Sequence, residues 1–358
     1  MPINTLRKID LKIIRQQDQY WFISLLIKLS IVIAAFGFIY KEIIYNKDLS
    51  LISSFVHQIF VAPTDYFLLF IVVLMMFVNW TIESLKWRFI IRKIEAIRIT
   101  TALKAIFSGT SVSVFTPNRV GEFGGRIFYL NKSDRIQGVF ITLLGSVSQL
   151  VVTIIAGSLG FLAFPFLYQS ASINLILLYS LFGIIGILIT LTLVFYFNIS
   201  ILTRFGKKTL DLLAYSIRNK LFKKLKNYAA VFTLYSGQEL GIVLGYSMLR
   251  YVVFSTQFFL LLILFDVSPP FLGGMALITI TFFTMTIIPT IALTELGVRG
   301  SVALYFIGLI SSNDIGIVTA SFTLWFINLA IPAIIGSAFV LRMDVFKPRE
   351  QKPHKTLS

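Results

Sequence analysis

Two short segments place Glu and Arg inside otherwise apolar sequence. The first reads Thr116-Pro117-Asn118-Arg119-Val120-Gly121-Glu122-Phe123-Gly124-Gly125-Arg126, and the second runs from Pro289 through Glu295-Leu296-Gly297-Val298-Arg299. Both contain Pro, then Glu-apolar-Gly-x-Arg. Glu and Arg four apart share a helix face and can pair, which lowers the cost of holding either in a membrane. The intervening Gly lets another backbone or a ligand come close. Pro marks where one half-helix stops, and the N-terminus of the next offers N–H groups to an anion. Arg119 and Arg126 add forked donors suited to phosphate. The chemistry predicted is anion binding. An ordinary basic cytoplasmic loop would account for the first segment alone. For Glu295 and Arg299, set between apolar runs, a functional role is the better reading.

The 358 residues are 57% hydrophobic, 15% aromatic and 13% charged, against about 25% charged in ordinary soluble domains. Mean hydropathy is +0.86. These values exclude a disordered chain, a coiled coil and a soluble enzyme. The chain is predicted to be one all-α integral membrane domain, 1–358. Apolar runs at 21–40, 66–83, 138–164, 174–198, 239–265 and 316–341 are each long enough to span. The stretches 101–130 and 272–312, broken by Gly, Pro and charge, predict two short helices each. The first run is read as a retained helix, not a signal peptide. Lys28 within it is read as snorkelling to the cytoplasm.

Net charge is +16, and 27 of the 32 Lys and Arg fall in 1–20, 84–104, 119–135, 200–228 and 342–358. The positive-inside bias puts both termini in the cytoplasm of a cell with a plasma (inner) membrane, and no nucleic-acid partner is needed to explain the charge. Parity then makes 101–136 and 272–312 re-entrant hairpins, dipping in from opposite faces. The basic segment 199–228 is read as an interfacial cytoplasmic linker, with a plain solvated loop as the alternative.

Glu122 lies 56 residues after Tyr66, and Glu295 lies 56 after Glu239. Each motif is followed by a full span. Residues 66–164 and 239–341 therefore read as two copies of one span–hairpin–span unit with opposite orientation. Such paired interruptions point to a transporter's binding site. Thr142, Ser146, Gln149 and Thr153 form one stripe on 138–164, continued by Gly157 and Gly160. Glu239, Tyr246, Arg250 and Gln257 share a face of 239–265. These faces predict a polar cavity, with interhelical packing as the alternative. Arg250 needs a partner; Glu239 is three turns away, so Glu295 is another candidate. Trp325 and Asn328 are read as core packing that could also line the cavity.

The first motif, and Pro289 with Leu296-Gly297-Val298-Arg299, resemble the two signatures of the lysylphosphatidylglycerol synthase transmembrane region family, also called flippase-like domain proteins. The resemblance covers essentially every span. Asn118 stands where the family often has Gly, and Ser301 where a second acidic residue is expected, so Glu295 is the candidate substitute. Ser358 follows the last span closely, so no aminoacyl-transferase domain is expected. The resemblance implies a protein that binds and translocates, or helps translocate, an anionic phospholipid or lipid-linked headgroup. The residues predicted to serve it are Thr116, Pro117, Asn118, Arg119, Gly121, Glu122, Arg126, Gln149, Glu239, Arg250, Pro289, Glu295, Gly297 and Arg299.

Two alternatives stay open: a membrane enzyme acting on a lipid or polyprenyl phosphate, and a partner subunit for a separate lipid-modifying synthase. With no Cys, only His57 and His354, and no Asp-rich or Gly-x-Ser-x-Gly motif, no metal or cofactor is predicted. Only Glu122 or Glu295 could act as acid or base.

Overall fold

The computed structural model describes residues 63–114, 116, 119–131, 133–168, 175–199, 230–288 and 292–343, with isolated positions 26, 29, 30 and 33. The 21–40 span with Lys28, the linker 199–228, both histidines, Pro117, Asn118, Pro289 and the side chain of Glu295 lie outside the described residues, apart from those four positions and Ile199. Among the described residues every regular element is helical. Five helices among these residues are long and apolar enough to cross a membrane.

The first is α1, Pro63–Ile91, with Pro63 and Asp65 at its start and Arg88 in its last turn, an order that suits the helix dipole. It runs eight residues past the apolar stretch that ends at Glu83, and Lys86 in that extension is buried rather than solvated, while Arg88 is exposed. Then come α2, Ile99–Ser113, and α3, Gly121–Ile127. α4, Arg135–Leu167, starts at Asp134, whose side chain accepts from Ile136 N. α5, Leu175–Phe197, is largely exposed along its length. α6, Gly237–Leu264, opens with a Ser236/Glu239 capping box. α7, Phe271–Ile287, and α8, Ala292–Ile307, follow. The last span, Asp314–Leu341, consists of α9, Asp314–Trp325, a π-helical turn at Phe326–Ala330, and α10, Ile331–Leu341. Pro332 lacks the N–H that would bond back to residue 328, and the wider turn absorbs that loss.

Both broken stretches form two short helices, as their sequence predicts. α2 has 15 residues, α7 has 17 and α8 has 16. At 1.5 Å per residue each is about 22–26 Å long, too short to cross a ~30 Å core.

The packing is reciprocal. α1 lies along α6 at the centre. α2 packs on α10, and α7 packs on α4; α3 folds back on α2, and α8 on α7. Small residues make these crossings close. A methyl group at Gly336 of α10 would lie 2.0 Å from the Phe107 carbonyl of α2, and one at Gly157 of α4 would lie 2.2 Å from Phe283 of α7.

Candidate functional site

A buried carboxylate at the α1–α6 contact organises the centre. Glu83, 3% exposed, accepts from three cations. Arg126 Nη1 is 3.0 Å from Oε1, while Arg250 Nη1 at 2.9 Å and Lys86 Nζ at 2.8 Å share Oε2. Lys86, 1% exposed, also donates to the Gly145 carbonyl of α4 at 3.3 Å and to Ser247 Oγ of α6 at 3.4 Å. It therefore ties α1, α4 and α6 together. Removing one member of such a set leaves a buried charge unmatched, which costs about 3–5 kcal/mol.

The first hairpin reaches this cluster through glycine. A methyl group at Gly125 would lie 2.5 Å from the Gly109 Cα, so α3 sits almost backbone-to-backbone on α2. That seat delivers Arg126, 3% exposed, to Glu83; its Nη2 also pairs with Glu122. The glycine between Glu122 and Arg126 in the repeated pattern, Gly124, faces open space. The close approach expected of it belongs to its neighbour, Gly125. At the helix N-terminus, one N–H is already taken by a side chain. Thr116 Oγ1 accepts from Gly121 N at 2.9 Å and donates to the Ser113 carbonyl at 3.0 Å. Thr116 therefore closes the turn, and Gly121 lies against it because a methyl group there would come 2.5 Å from the Val112 carbonyl. Between them Arg119 is held in the left-handed region at φ 57°, a conformation that costs of order 1–3 kcal/mol outside glycine.

Above the cluster lies a cavity of about 700 Å³. Arg119 reaches it from the first broken stretch, and Thr286, Ile288 and Arg299 reach it from the second. Arg250 enters from α6, Gln149 and Thr153 from α4, and Asn328 from the π-helical turn. Trp80, Phe254, Phe282 and Trp325 supply an aromatic wall. Adjoining it is a smaller chamber of about 280 Å³, lined by Glu83, Lys86, Glu122 and Ser146 and sharing Arg250, Arg119, Gln149 and Thr153 with the larger one.

Arg250 is the hinge between the two spaces. Its side chain is 23% exposed. Nε donates to Asn79 Oδ1 at 3.0 Å, and Asn79 Nδ2 donates to Asn328 Oδ1 at 3.2 Å. Its guanidinium lies 5.4 Å from the Trp80 ring centroid. Among the described residues the acidic partner of Arg250 is therefore Glu83, and Glu239 pairs elsewhere.

Other predicted residues sit elsewhere. Glu239 is at the start of α6, pairing with Lys93 at 2.7 Å and Arg92 at 3.5 Å, away from the cavity. The face predicted for α6 divides along its length: the Tyr246 ring lies tilted against Phe89, and Gln257 is fully buried, donating to the Val72 carbonyl at 2.8 Å. On α4, Thr142 accepts from Trp87 Nε1 at 3.0 Å in packed core, while Ser146, Gln149 and Thr153 line the spaces. Gly297 is exposed with open space about it. Among the described residues no group of three His, Asp or Glu gathers as a metal site.

Glu83, Lys86 and Asn79 are functional candidates that the sequence analysis did not single out. Their signal was present: 79, 83 and 86 stand at i, i+4 and i+7 and share one helix face.

The family described as "Lysylphosphatidylglycerol synthase TM region" matches residues 25–336, which takes in α1 to α9, both broken stretches and the cavity between them. The chain belongs to this family. Membership makes it a multi-pass membrane protein related to lipid metabolism or transport. Neither curated proteins nor solved structures returned a match.

Proposed function

We propose that this protein binds an anionic phospholipid or lipid-linked headgroup in the central cavity and moves it, or helps to move it, across the plasma membrane. The observation that carries the reading is that Arg119, Arg250 and Arg299 line one space, reached from both broken stretches. Guanidinium groups in a site walled by aromatic residues suit a phosphate held at the edge of an apolar body. Cationic lining at membrane depth is retained only where it meets a charge or water.

Two further features support the reading. The exchange of partners, α2 with α10 and α7 with α4, is what two copies of one unit inserted in opposite directions would give. We take 66–164 and 239–341 as those copies, with the hairpins 101–136 and 272–312 re-entrant from the cytoplasmic and outer faces. Both termini are then cytoplasmic, as the cation distribution requires. The enzyme and partner-subunit alternatives draw no specific support from the cavity.

The test is reconstitution into liposomes carrying a labelled anionic phospholipid in one leaflet. Transbilayer movement should accelerate with the protein and slow sharply with Arg250→Met. No acceleration for any anionic lipid class would refute the transport reading.

A further inference from the structure

Glu83 holds a position that a bound anion would want. It is a carboxylate whose Oε2 sits 2.9 Å from Arg250 Nη1, at the floor of the space where Arg250 meets the cavity. Its three cations differ in freedom. Arg126 and Lys86 have side chains 4% and 2% exposed, whereas that of Arg250 is 23% exposed. Arg250 uses Nε on Asn79 and Nη1 on Glu83, and among the described residues its Nη2 has no partner.

Resting on the function proposed above, we propose that Glu83 is the resident counter-anion of the site, and that an anionic headgroup binds by replacing Glu83 on Arg250. Glu83 is thus a positioning and specificity-determining residue. It touches the arginine that takes the ligand, not the ligand itself.

The arrangement makes the exchange feasible. When Arg250 turns to a ligand, Glu83 keeps Arg126 on Oε1 and Lys86 on Oε2, so no bare carboxylate is left in a dry site. Asn79 holds Nε and acts as a pivot, limiting the motion to the end of the side chain. A guanidinium presents pairs of parallel N–H donors, so the favoured ligand group is a phosphate oxygen pair. The exchange also gives selection. A headgroup that brings no negative charge cannot repay the loss of Glu83, and is disfavoured by the contact it must break. It also limits affinity. A transported ligand must leave as well as enter, and the returning carboxylate competes with it for Arg250.

The experiment compares wild type with Glu83→Gln/Lys86→Met. The paired change removes one negative and one positive charge, so the net charge of the cluster is kept. Purified protein in detergent is titrated separately with short-chain phosphatidic acid and with inorganic phosphate. The variant should bind the lipid more tightly, on the order of tenfold, the worth of one charge-assisted hydrogen bond no longer competed for. In liposomes the same variant should show a lower KM together with a lower kcat. A purely structural role for Glu83 predicts weaker binding or none. Glu83→Asp keeps the charge while drawing the carboxylate back from Arg250, and should tighten binding by a smaller factor; it carries the test if the double variant does not fold.

Tightening for the lipid alone supports exchange by a headgroup, and tightening for phosphate as well supports exchange by any phosphate anion. Folded variants with unchanged or weakened affinity overturn the inference while wild-type binding, and with it the proposed function, stands. Absence of binding by wild type removes the proposed function itself.

Discussion

Gly124 and Gly125 are adjacent, chemically identical and predicted to respond oppositely to the same substitution. A methyl group at Gly125 would lie 2.5 Å from the Gly109 Cα and 2.7 Å from its nitrogen. Both are backbone atoms of α2 and neither can rotate away. Ordinary contact begins at 3.4 Å, so α3 and α2 must part by roughly 0.9 Å. Overpacking of this sort costs about 1–3 kcal/mol. The shift also carries Arg126, the next residue, whose bond to Glu83 is 3.0 Å. Lengthening that bond by a similar amount forfeits most of a buried charge-assisted hydrogen bond, worth about 1.5–3 kcal/mol. Gly125→Ala should therefore destabilise the protein by roughly 2.5–6 kcal/mol. At Gly124 a methyl group meets nothing within 4 Å, and Ala is the better helix former by about 0.5–1 kcal/mol. Gly124→Ala should be neutral or slightly stabilising. Thermal unfolding of the two purified variants in one detergent, followed by tryptophan fluorescence, makes the comparison. Equal melting midpoints would refute the argument that the Gly109–Gly125 contact seats the arginine.

Gly336→Leu should displace α2 from α10, since a methyl group alone would already lie 2.0 Å from the Phe107 carbonyl; a lower melting midpoint and faster proteolysis in the α2–α3 region are expected. Glu239→Gln removes exposed pairs with Lys93 and Arg92 and weakens the α6 cap, so stability should fall by only about 0.5–2 kcal/mol. Its anion affinity in the same titration should match wild type. Arg126→Met should be far more damaging than Glu239→Gln, because it leaves Glu83 short of one of its buried partners; a loss of about 3–5 kcal/mol, read as poor recovery of folded protein, is expected.

Much of the arrangement was readable from composition and punctuation. Length and hydropathy gave the spans that the helices occupy, because a bilayer core demands a fixed run of apolar residues. The breaks after residues 113 and 287 follow from the Gly- and Pro-containing segments. Arg250, Gln149 and Arg299 were identifiable because a polar group in an apolar run needs a reason, and Arg119 because it sits in the repeated motif. Glu83 and Lys86 were missed through the same logic. They stand where the apolar run gives way to cations, so Glu83 was read as the last residue of the span 66–83 and Lys86 as the start of a cationic cytoplasmic segment. Only the tertiary fold reveals that α1 continues to Ile91 and that α3, α4 and α6 close around that stretch. The pairing of Arg250 was likewise beyond sequence: Glu83, Glu239 and Glu295 are separated from it by very different chain lengths, and distance along the chain does not order them in space. Gly124 and Gly125 could not be told apart without knowing which side of α3 meets α2.

The central claim is that residues from both broken stretches face one cationic cavity that holds an anionic headgroup. Photolabelling addresses it most directly. A photoreactive anionic phospholipid with its reactive group beside the phosphate is incubated with the reconstituted protein, and labelled peptides are mapped by mass spectrometry. The account predicts labelling near Arg119 and also between Thr286 and Arg299, suppressed together by excess unlabelled anionic lipid and by Arg250→Met. Labelling confined to the exposed face of α5, or labelling of one broken stretch without the other, would contradict it.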